Sequence, residues 1–572
     1  MSSGGDLQRG QPAWEGGVSG PIGSSLSWDL LLTRQPRFLI FGGAHAQGLT
    51  ARVRLYGERG TPSALCTDPR HNLGQAPTES RRRMLNRVLR ALAISSVRWL
   101  IYTGTFGLAL VLLFYRLGDG SFYDWDEAIY AQVAKELLRV GPWGTITWDG
   151  YRFFHKPPLY FWLTILSYKT LGIHELGARL WAAIFGFGVV VLTFVLGVRL
   201  RSWGVGVAAS LLLLVVDHAY YSQWWNFLSL SRVGTLDTPL TFWIMAALLL
   251  VWEAERRPRL LMWVGIPVGL AVLTKAWPGL LAVMIAMAYR LLARGGRPPQ
   301  VGDWAIAGVV AGMVVLPWHL WQYGMHGESF LREYVAFNLV ERVFRVIEEN
   351  QGGPLFYLDV VRRGFSLWGY VLPLAYLWGI WRAWRKGDRG AVLLLSWVAI
   401  PLVLFSVAQT KLGWYVNMIY PALALLLAIG LADLLTDRVA LGVVAVVMAV
   451  CCLRLPVPAD GSPDVKQFAP QAAQVLRPDD RVYVIRPVCG GAKPSLTAGQ
   501  LLATDTNIRT ALVFYMDRPL TCIEERRVLE GADLRGGYLI SDAESWPRIR
   551  HLGRMVLDTR QDGRGYILAR AK

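Results

Sequence analysis

The sequence predicts an all-α polytopic membrane domain followed by a small C-terminal α/β domain. Three observations favour this fold class: the composition, a series of apolar runs of about membrane-spanning length, and basic residues that recur in alternate loops. Of the 572 residues, 53% are hydrophobic and only 17% are charged, 25 are Trp, and the mean hydropathy is +0.33. Soluble proteins of this size rarely combine these properties, so the composition indicates a membrane protein.

The apolar runs define the membrane domain, which we place at residues 84–455. A spanning helix needs about 20 mainly apolar residues. Eleven segments are candidates, and one or two further spans would bring the number to twelve or thirteen. The eleven are 97–117, 179–198, 203–219, 236–253, 260–275, 277–293, 303–322, 365–384, 391–408, 413–432 and 439–455.

Basic residues give the predicted orientation. When alternate loops are assigned to the cytoplasm, every loop on that side is basic, as the positive-inside rule requires. The N-terminus is then cytoplasmic and the C-terminal domain extracytoplasmic. The net charge of +18 is largely explained by this pattern, so a nucleic-acid partner is not needed. The residues are Arg81, Arg82, Arg83, Arg87, Arg90, Arg199, Arg201, Arg256, Arg257, Arg259, Arg290, Arg294, Arg297, Arg382, Arg385, Lys386, Arg389 and Arg438.

The two ends of the chain differ from the membrane domain. Residues 1–83 are rich in Gly, Ser, Pro and Arg without lasting periodicity, which predicts disorder or an over-long reading frame upstream of Met84. Residues 456–572 contain "RVYVIR", "ALVFYMD", "GGYLISD" and "GYILAR", which we interpret as short strands of an α/β domain. An oxidising compartment would permit a disulfide between Cys489 and Cys522, with two unpaired thiols as the alternative.

The first outward loop, 118–178, opens with the acidic motif "YDWDEAIY". Asp124 and Glu127 have the spacing of a capping box at the start of an interfacial helix. Asp126 falls on the apolar face of that helix, where an unpaired carboxylate is costly. We therefore expect Asp126 to meet a cation, a metal ion or a substrate.

The same loop continues with "FFHKPPLYFW". Pro157 and Pro158 suit the first turn of a helix, which places Lys156 at a helix start beside aromatic residues. We interpret Lys156 as a phosphate-facing cation, with a snorkelling surface lysine as the alternative. His155 is a weak candidate metal ligand, although a lone histidine is more often a packing residue.

Two later outward loops supply further candidates. Arg342 and Arg345 are three residues apart in a helical stretch and share a face, with Glu341 beside them as a second weak metal candidate. Lys411 and Tyr415 are four residues apart at the mouth of a span and are expected to project together. A solvated charged face and interfacial anchoring are the respective alternatives.

The pattern of these loops resembles the GT-C class of polyprenyl-phosphate-dependent glycosyltransferases. The nearest branch is the family of aminoarabinose transferases and dolichyl-phosphate-mannose protein mannosyltransferase-like proteins. The runs that carry the resemblance cover residues 97–432. They are "DEAIYAQVAKELL", "GPWGTITWDGYRFFHKPPLYFWL", "LGIHELGARLWAAIFG", "SRVGTLDTPLTFW", "GLAVLTKAWPGLL", "LPWHLWQYG", "VERVFR" and "TKLGWYVNMIYPALA".

The resemblance implies a GT-C type fold with interfacial helices in the first outward loop and assigns roles to several residues. Asp126 and Glu127 correspond to the catalytic acidic pair, and Lys156, Arg345 and Tyr415 to groups near the donor phosphate. Lys411 and Arg342 are adjacent candidates for the same phosphate. A divalent metal ion is a possible cofactor.

The implied activity is transfer, with inversion, of a sugar from a polyprenyl (undecaprenyl) phosphate to a lipid, glycan or protein on the outer face of the cytoplasmic membrane. Protein O-mannosyl transfer is the alternative within this class. A flippase or transporter of the lipid-linked sugar is the alternative of another class. Transporters place ionisable residues within spans and often show paired repeats. In this sequence the charged residues gather in the outward loops and no repeat is evident, which disfavours a transporter.

Overall fold

The computed structural model describes residues 79–215, 226–295, 301–335, 344, 352–451, 460–485, 510–518, 520–523, 529, 533–560 and 564–572. Some predictions concern parts of the chain that the structure does not describe: residues 1–78, Glu341, Arg342, Arg345, Cys489 and the side chain of Cys522. These remain predictions.

Helices make up the first part of the described chain, and a two-stranded hairpin interrupts them. The strands are β1 (Thr147–Trp148) and β2 (Tyr151–Arg152), which pair antiparallel. The helices are α1 (Glu79–Phe114), α2 (Asp126–Val140), α3 (Leu159–Leu171), α4 (Glu175–Leu200), α5 (Trp203–Leu213), α6 (Phe227–Leu230), α7 (Asp237–Ala254), α8 (Gly265–Lys275), α9 (Leu281–Leu292), α10 (Val301–His326) and α11 (Glu328–Leu331).

The second part continues the helical domain and ends in a mixed sheet. Its helices are α12 (Phe356–Gly364), α13 (Leu372–Lys386), α14 (Arg389–Val407), α15 (Tyr420–Leu435), α16 (Asp437–Cys451), α17 (Pro463–Val475), α18 (Thr510–Met516) and α19 (Trp546–Ile549). Short 3₁₀ helices span Pro258–Val264, Trp277–Leu280, Ser366–Tyr370, Gly413–Ile419 and Arg550–Leu552.

The helical segments agree with the predicted multi-pass membrane domain. Seven helices in the described part of the chain are long and apolar enough to cross a membrane: 95–114, 175–200, 237–254, 258–275, 301–326, 389–407 and 413–435. Each of the other four predicted spans coincides with a shorter helix, at 203–213, 277–292, 372–386 and 437–451. The fold class is confirmed, and the number of eleven spans stays a prediction.

Several of the predicted cytoplasmic arginines lie at one end of the helix bundle and pair there with acids. At the end of α4, Arg199 lies 3.0 Å from Glu253 near the end of α7. Glu255, just beyond α7, pairs with both Arg290 of α9 and Arg389 of α14. We call this the basic end of the bundle. Charges that are partly buried at this end are thus neutralised by their partners.

The C-terminal sheet has the strand order β4-β3-β5-β7-β6. The strands are β3 (Val482–Ile485), β4 (Thr521–Ile523), β5 (Tyr538–Asp542), β6 (Gly553–Asp558) and β7 (Tyr566–Ala571). β3 pairs parallel with β4 and β5, whereas β7 pairs antiparallel with β5 and β6. Three of the four predicted strands are thus confirmed.

The fourth predicted strand, "ALVFYMD", is wrong because this segment forms helix α18. All residues of α18 except Tyr515 are buried, since the helix packs between α2 and α17. A short apolar run buried on all sides has no periodicity that distinguishes a strand from a helix.

The C-terminal domain and the first outward loop share one hydrophobic core, which we call the outer core. It joins Ala128, Val133 and Phe161 of the loop to Phe468 and Phe514 of the C-terminal domain. Helix α2 is therefore covered on nearly every side, and even Gln132 and Lys135 are buried. The predicted interfacial helix is thus a buried element between two parts of the protein.

Candidate active site

The candidate site is a pocket at the end of the bundle opposite the basic end, at the start of α7 and the end of α8. Its polar lining comes from Lys156, Asp237, Lys275, Thr410 and Tyr415. Its apolar wall comes from Leu240, Trp277, Pro278, Phe405 and Met418. Two lysines and a phenol beside an apolar wall suit a ligand that has an anionic head and a hydrocarbon tail.

Two helix ends bring a carboxylate and an ammonium group together in this cavity. Lys275 Nζ lies 2.6 Å from Asp237 Oδ1, and both side chains are buried. Asp237 is the first residue of α7 and Lys275 is the last residue of α8. The helix macrodipole favours an anion at an N-terminus and a cation at a C-terminus, so each charge lies at a helix end that stabilises it.

The turn after Lys275 is tight and has an unusual backbone. Ala276 has φ 55°, which is uncommon for a residue with a side chain. Gly279 lets this turn fold back on α8, because a Cβ there would lie only 2.5 Å from the carbonyl carbon of Ala271. Strained turns of this kind occur at functional sites, where the surrounding structure holds them.

Asp126 lies next to this ion pair. It is the first residue of α2, it is half-buried, and it accepts no hydrogen bond from any described residue. Asp126 and Lys156 are both close enough to Asp237 to interact with it electrostatically. Asp237 is thus the charged group with which Asp126 is seen to interact, and the expectation that Asp126 meets a cation or a substrate stays a prediction.

Glu127 has a different environment from Asp126. Its side chain is fully buried and accepts from Arg179 Nε at 2.7 Å and Arg179 Nη2 at 3.0 Å. The backbone N–H groups of Tyr123 and Gly234 donate to the same carboxylate. Arg179 also donates to the carbonyls of Leu117, Asp119 and Ser121. Both oxygens of Glu127 are occupied, which favours a structural role over its predicted catalytic one.

The predicted capping box is wrong in both of its members. Glu127 accepts from the N–H of Tyr123 and not from the N–H of Asp124, which the predicted box would use as its cap. Asp124 does not cap α2, because it accepts hydrogen bonds from Ser462 and from the N–H of Ala511 in the C-terminal domain. The C-terminal domain, distant in sequence, competes successfully for this carboxylate.

The structure brings Lys156 and Tyr415 together in the cavity, although they are far apart in sequence. Lys156 lies just before α3, whose first residue follows Pro158, as the proline pair predicted. Tyr415 packs 5.1 Å from Phe405, ring centroid to centroid, and Lys275 Nζ lies 5.2 Å from the Tyr415 ring centroid. The Tyr415 ring therefore lies beside the ammonium group of Lys275, in the cavity that Lys156 also lines.

Lys411 does not join them, so its predicted projection alongside Tyr415 is wrong. Its Nζ donates to the carbonyls of Ser406 and Ala408, and its side chain lines a neighbouring cavity. The prediction assumed a continuous helix from Lys411 to Tyr415. The 3₁₀ helix begins only at Gly413 and follows an extended Leu412, so the two side chains do not share a face.

His155, the weak candidate metal ligand of the first outward loop, lies close to a carboxylate. His155 is buried, with Nε2 3.7 Å from Glu333 Oε1. Among the residues that the structure describes, no three His, Cys, Asp or Glu side chains are grouped as metal ligands would be. The metal site therefore stays a prediction.

Asp149, in the hairpin of the first outward loop, makes the stability of the folded protein depend on pH. Burial, and secondarily the nearby Glu136, raise the pKa of Asp149 to about 7. The folded state therefore binds the proton of the Asp149 carboxyl group more tightly than the unfolded state does. The contribution of this proton to the stability of the folded state is full below about pH 4 and is lost as the pH rises through about 7.

We expect Asp149→Asn to raise the apparent unfolding temperature at pH 8 and to leave it unchanged at pH 4. The gain at pH 8 should reach a few kcal/mol in order of magnitude, since each tenfold change in proton affinity corresponds to about 1.4 kcal/mol. Asparagine also tolerates the positive φ of 50° found here. Thermal unfolding in detergent at the two pH values measures the effect, and an equal shift at both would contradict it.

Comparison with known proteins finds similar sequences and a similar fold. The sequence model of the family described as dolichyl-phosphate-mannose-protein mannosyltransferase matches residues 100–323, which include Asp126, Lys156, Asp237 and Lys275. An undecaprenyl phosphate-alpha-4-amino-4-deoxy-L-arabinose arabinosyl transferase of Pseudomonas paraeruginosa is 30% identical over 338 residues, 56% of this chain and 59% of the relative. An uncharacterised protein of Aquifex aeolicus is 28% identical over 322 residues, 56% of this chain and 61% of its own.

Among solved structures, the crystal structure of ArnT from Cupriavidus metallidurans bound to undecaprenyl phosphate has a similar fold. The TM-score is 0.65 at 19% identity, and the match covers 82% of this chain and 97% of that one. The chain spans about three fifths of the length of the curated relatives it matches. The resemblance to ArnT-like transferases of the GT-C class is thus confirmed, and the protein is a multi-pass membrane protein of that fold.

Sequence reasoning missed Asp237, Lys275 and Arg179 as site residues. Their segments, "TLDTPLTFW", "TKAWPGLL" and "HELGARLW", entered the sequence analysis only as part of the family resemblance. A signal was present, because an ionisable residue at the end of an otherwise apolar span is rare and marks a site or a buried partner. Asp237 and Lys275 are 38 positions apart in the sequence, and nothing in the intervening segment indicated that they pair.

Proposed function

We propose that this protein is an integral membrane glycosyltransferase that uses a polyprenyl-phosphate-linked sugar as donor. The observation that carries the proposal is the cavity lined by Lys156, Asp237, Lys275 and Tyr415, with Asp126 within electrostatic range of Asp237. The cavity lies opposite the basic end, which supports catalysis on the outer face of the cytoplasmic membrane with the N-terminus inside.

In the proposed reaction the donor phosphate lies against Lys156, Lys275 and Tyr415 while its hydrocarbon chain contacts the apolar wall. The bond from the anomeric carbon to the phosphate oxygen breaks, and the acceptor oxygen bonds to that carbon from the opposite side. Ammonium groups and a phenolic hydroxyl stabilise the charge that develops on the departing phosphate. Asp126 takes the proton of a hydroxyl acceptor, and the configuration at the anomeric carbon is inverted.

Asp237 has a distinct part in this scheme. Its carboxylate holds Lys275 at a fixed place and balances its charge in a buried site. An unpaired ammonium group there would be costly, so the pair keeps a cation available without a bound donor. Arg345 and Arg342 are further proposed contacts of the phosphate.

The direct test is transfer of radiolabelled sugar from a polyprenyl-phosphate donor to lipid, glycan or protein acceptors in proteoliposomes containing the purified chain. The proposal requires labelled product and free polyprenyl phosphate in equal amounts. If the donor crosses the bilayer and stays intact, the protein is a transporter and the proposal fails.

Protein O-mannosyl transfer is the second candidate, favoured by the family model that matches residues 100–323. It shares the cavity and the donor class and differs in the acceptor. Incorporation of the label into protein and not into lipid would favour it.

We expect Lys156→Ala to weaken donor use. A hydrogen bond to a charged group contributes about 1.5–3 kcal/mol, so the donor KM should rise about 10- to 100-fold. Initial transfer rates at varied donor concentration measure this. Lys169→Ala, an exposed lysine at the other end of α3, is the matched control and should leave KM unchanged. An equal KM for the two variants would exclude Lys156 from the phosphate site.

A further inference from the structure

The backbone immediately before Asp126 is unusual. Trp125 has φ 72° and ψ −133°, a conformation that residues with bulky side chains rarely adopt. Trp125 also accepts the first hydrogen bond of α2, from the N–H of Ile129 at 2.8 Å. The peptide that leads into Asp126 is therefore strained, and other groups must hold it.

The groups that hold it come from the C-terminal domain. The N–H of Trp125 donates to Thr510 Oγ1 at 2.6 Å, and the Thr510 side chain is fully buried. On the preceding residue, Asp124 accepts from the N–H of Ala511 at 3.0 Å and from Ser462 Oγ at 3.0 Å. The start of α18 and the residue before α17 thus hold the two residues that precede Asp126.

A second set of contacts extends this attachment toward α1. Asp460 Oδ1 accepts from both the N–H and the hydroxyl of Ser121, and Ser121 Oγ accepts from the N–H of Ser462. The two chains come so close that a Cβ at Gly461 would lie 2.5 Å from the Cα of Tyr123. Residues 121–125 are therefore held along their length by residues 460–462 and 510–511.

Asp126 itself has no comparable support, because no described residue donates a hydrogen bond to its carboxylate. Its position is set by the backbone at Trp125 and by the packing of α2. We propose that the C-terminal domain positions Asp126 for transfer, and that Thr510 and Asp124 are positioning residues that act through the strained Trp125 peptide. This inference rests on the proposed function and adds a role for the C-terminal domain.

The test compares Thr510→Val, which loses the acceptor oxygen at nearly constant shape, with Thr510→Ser, which keeps it. We expect Thr510→Val to lower kcat about tenfold or more with a donor KM within about twofold of wild type. Displacement of a reacting group by about 1 Å can cost a factor of about 100. Thr510→Ser should recover most of the wild-type kcat. Loss of folded protein would also lower the apparent kcat at constant KM, so the rates are compared per folded molecule, and recovery by Thr510→Ser is the result that a merely destabilising substitution would not give.

A matched control uses the same interface away from Asp126. Arg139, near the end of α2, pairs with Asp517 just after α18 at 2.8 Å, and both are about half exposed. Arg139→Gln should leave kcat unchanged. Ser462→Ala removes a single hydrogen bond to Asp124 and is the milder second variant, with an expected decrease in kcat of about threefold.

The rate is normalised to folded protein, measured by monodisperse elution and thermal unfolding. If Thr510→Val or Ser462→Ala turns over like Arg139→Gln, the positioning role is wrong while the proposed function stands. Absence of transfer by the wild type would overturn the proposed function and this inference with it.

Discussion

Asp126→Asn is expected to abolish most sugar transfer to a hydroxyl acceptor. The carboxylate is half-buried beside Asp237 and Lys156, and no described residue donates a hydrogen bond to it. An amide cannot accept the acceptor's proton, and general base catalysis contributes about 10²- to 10⁴-fold. Single-turnover transfer in proteoliposomes should therefore slow by about this factor, with little change in donor binding.

The acceptor class modifies this expectation. A phosphate acceptor is already anionic and needs orientation and no base, so Asp126→Asn should then cause a much smaller loss. Asp119→Asn, in the same loop but half exposed and paired with Arg116, is the control and should behave like wild type. Full transfer to a hydroxyl acceptor by Asp126→Asn would refute the assignment of Asp126 as the base.

Arg179→Met is expected to have the largest effect on stability. Arg179 and Glu127 are both fully buried, and the arginine makes hydrogen bonds to Glu127 and to three backbone carbonyls. Removing one partner leaves a buried carboxylate without its counter-charge, which costs about 3–5 kcal/mol. We expect a marked fall in the thermal unfolding temperature and in the yield of monodisperse protein.

Two comparisons sharpen this prediction. Arg116→Met breaks an exposed pair with Asp119 and should leave the thermal unfolding temperature nearly unchanged, because solvent screens such pairs. Glu127→Gln keeps the shape of the side chain, and per folded molecule it should still turn over. If the Glu127→Gln protein is stable and well folded but does not turn over, then Glu127 has the catalytic role implied by the family resemblance.

The sequence predicted features that depend on local composition or on a motif. Apolar length and the arginine pattern located the helices, and Pro157 and Pro158 located the start of α3. Asp126 was separated from its acidic neighbours by helical periodicity alone. Each of these depends on residues within about two helical turns, where geometry is fixed by the backbone.

Features that depend on distant partners were not predictable in this way. Glu127 resembles Asp126 until Arg179, 52 residues later, is placed against it. Asp124 suits a helix cap until the C-terminal domain supplies Ser462 and Ala511. Lys411 was misplaced because a 3₁₀ helix that begins at Gly413 interrupts the assumed helical spacing.

The most direct test of the account is a cryo-electron microscopy map of the protein in lipid nanodiscs with a polyprenyl monophosphate bound. We expect phosphate density between Lys156, Lys275 and Tyr415, with the hydrocarbon chain along Leu240, Phe405 and Met418. Phosphate density at the basic end, near Arg290 and Arg389, with the cavity free of lipid, would contradict it.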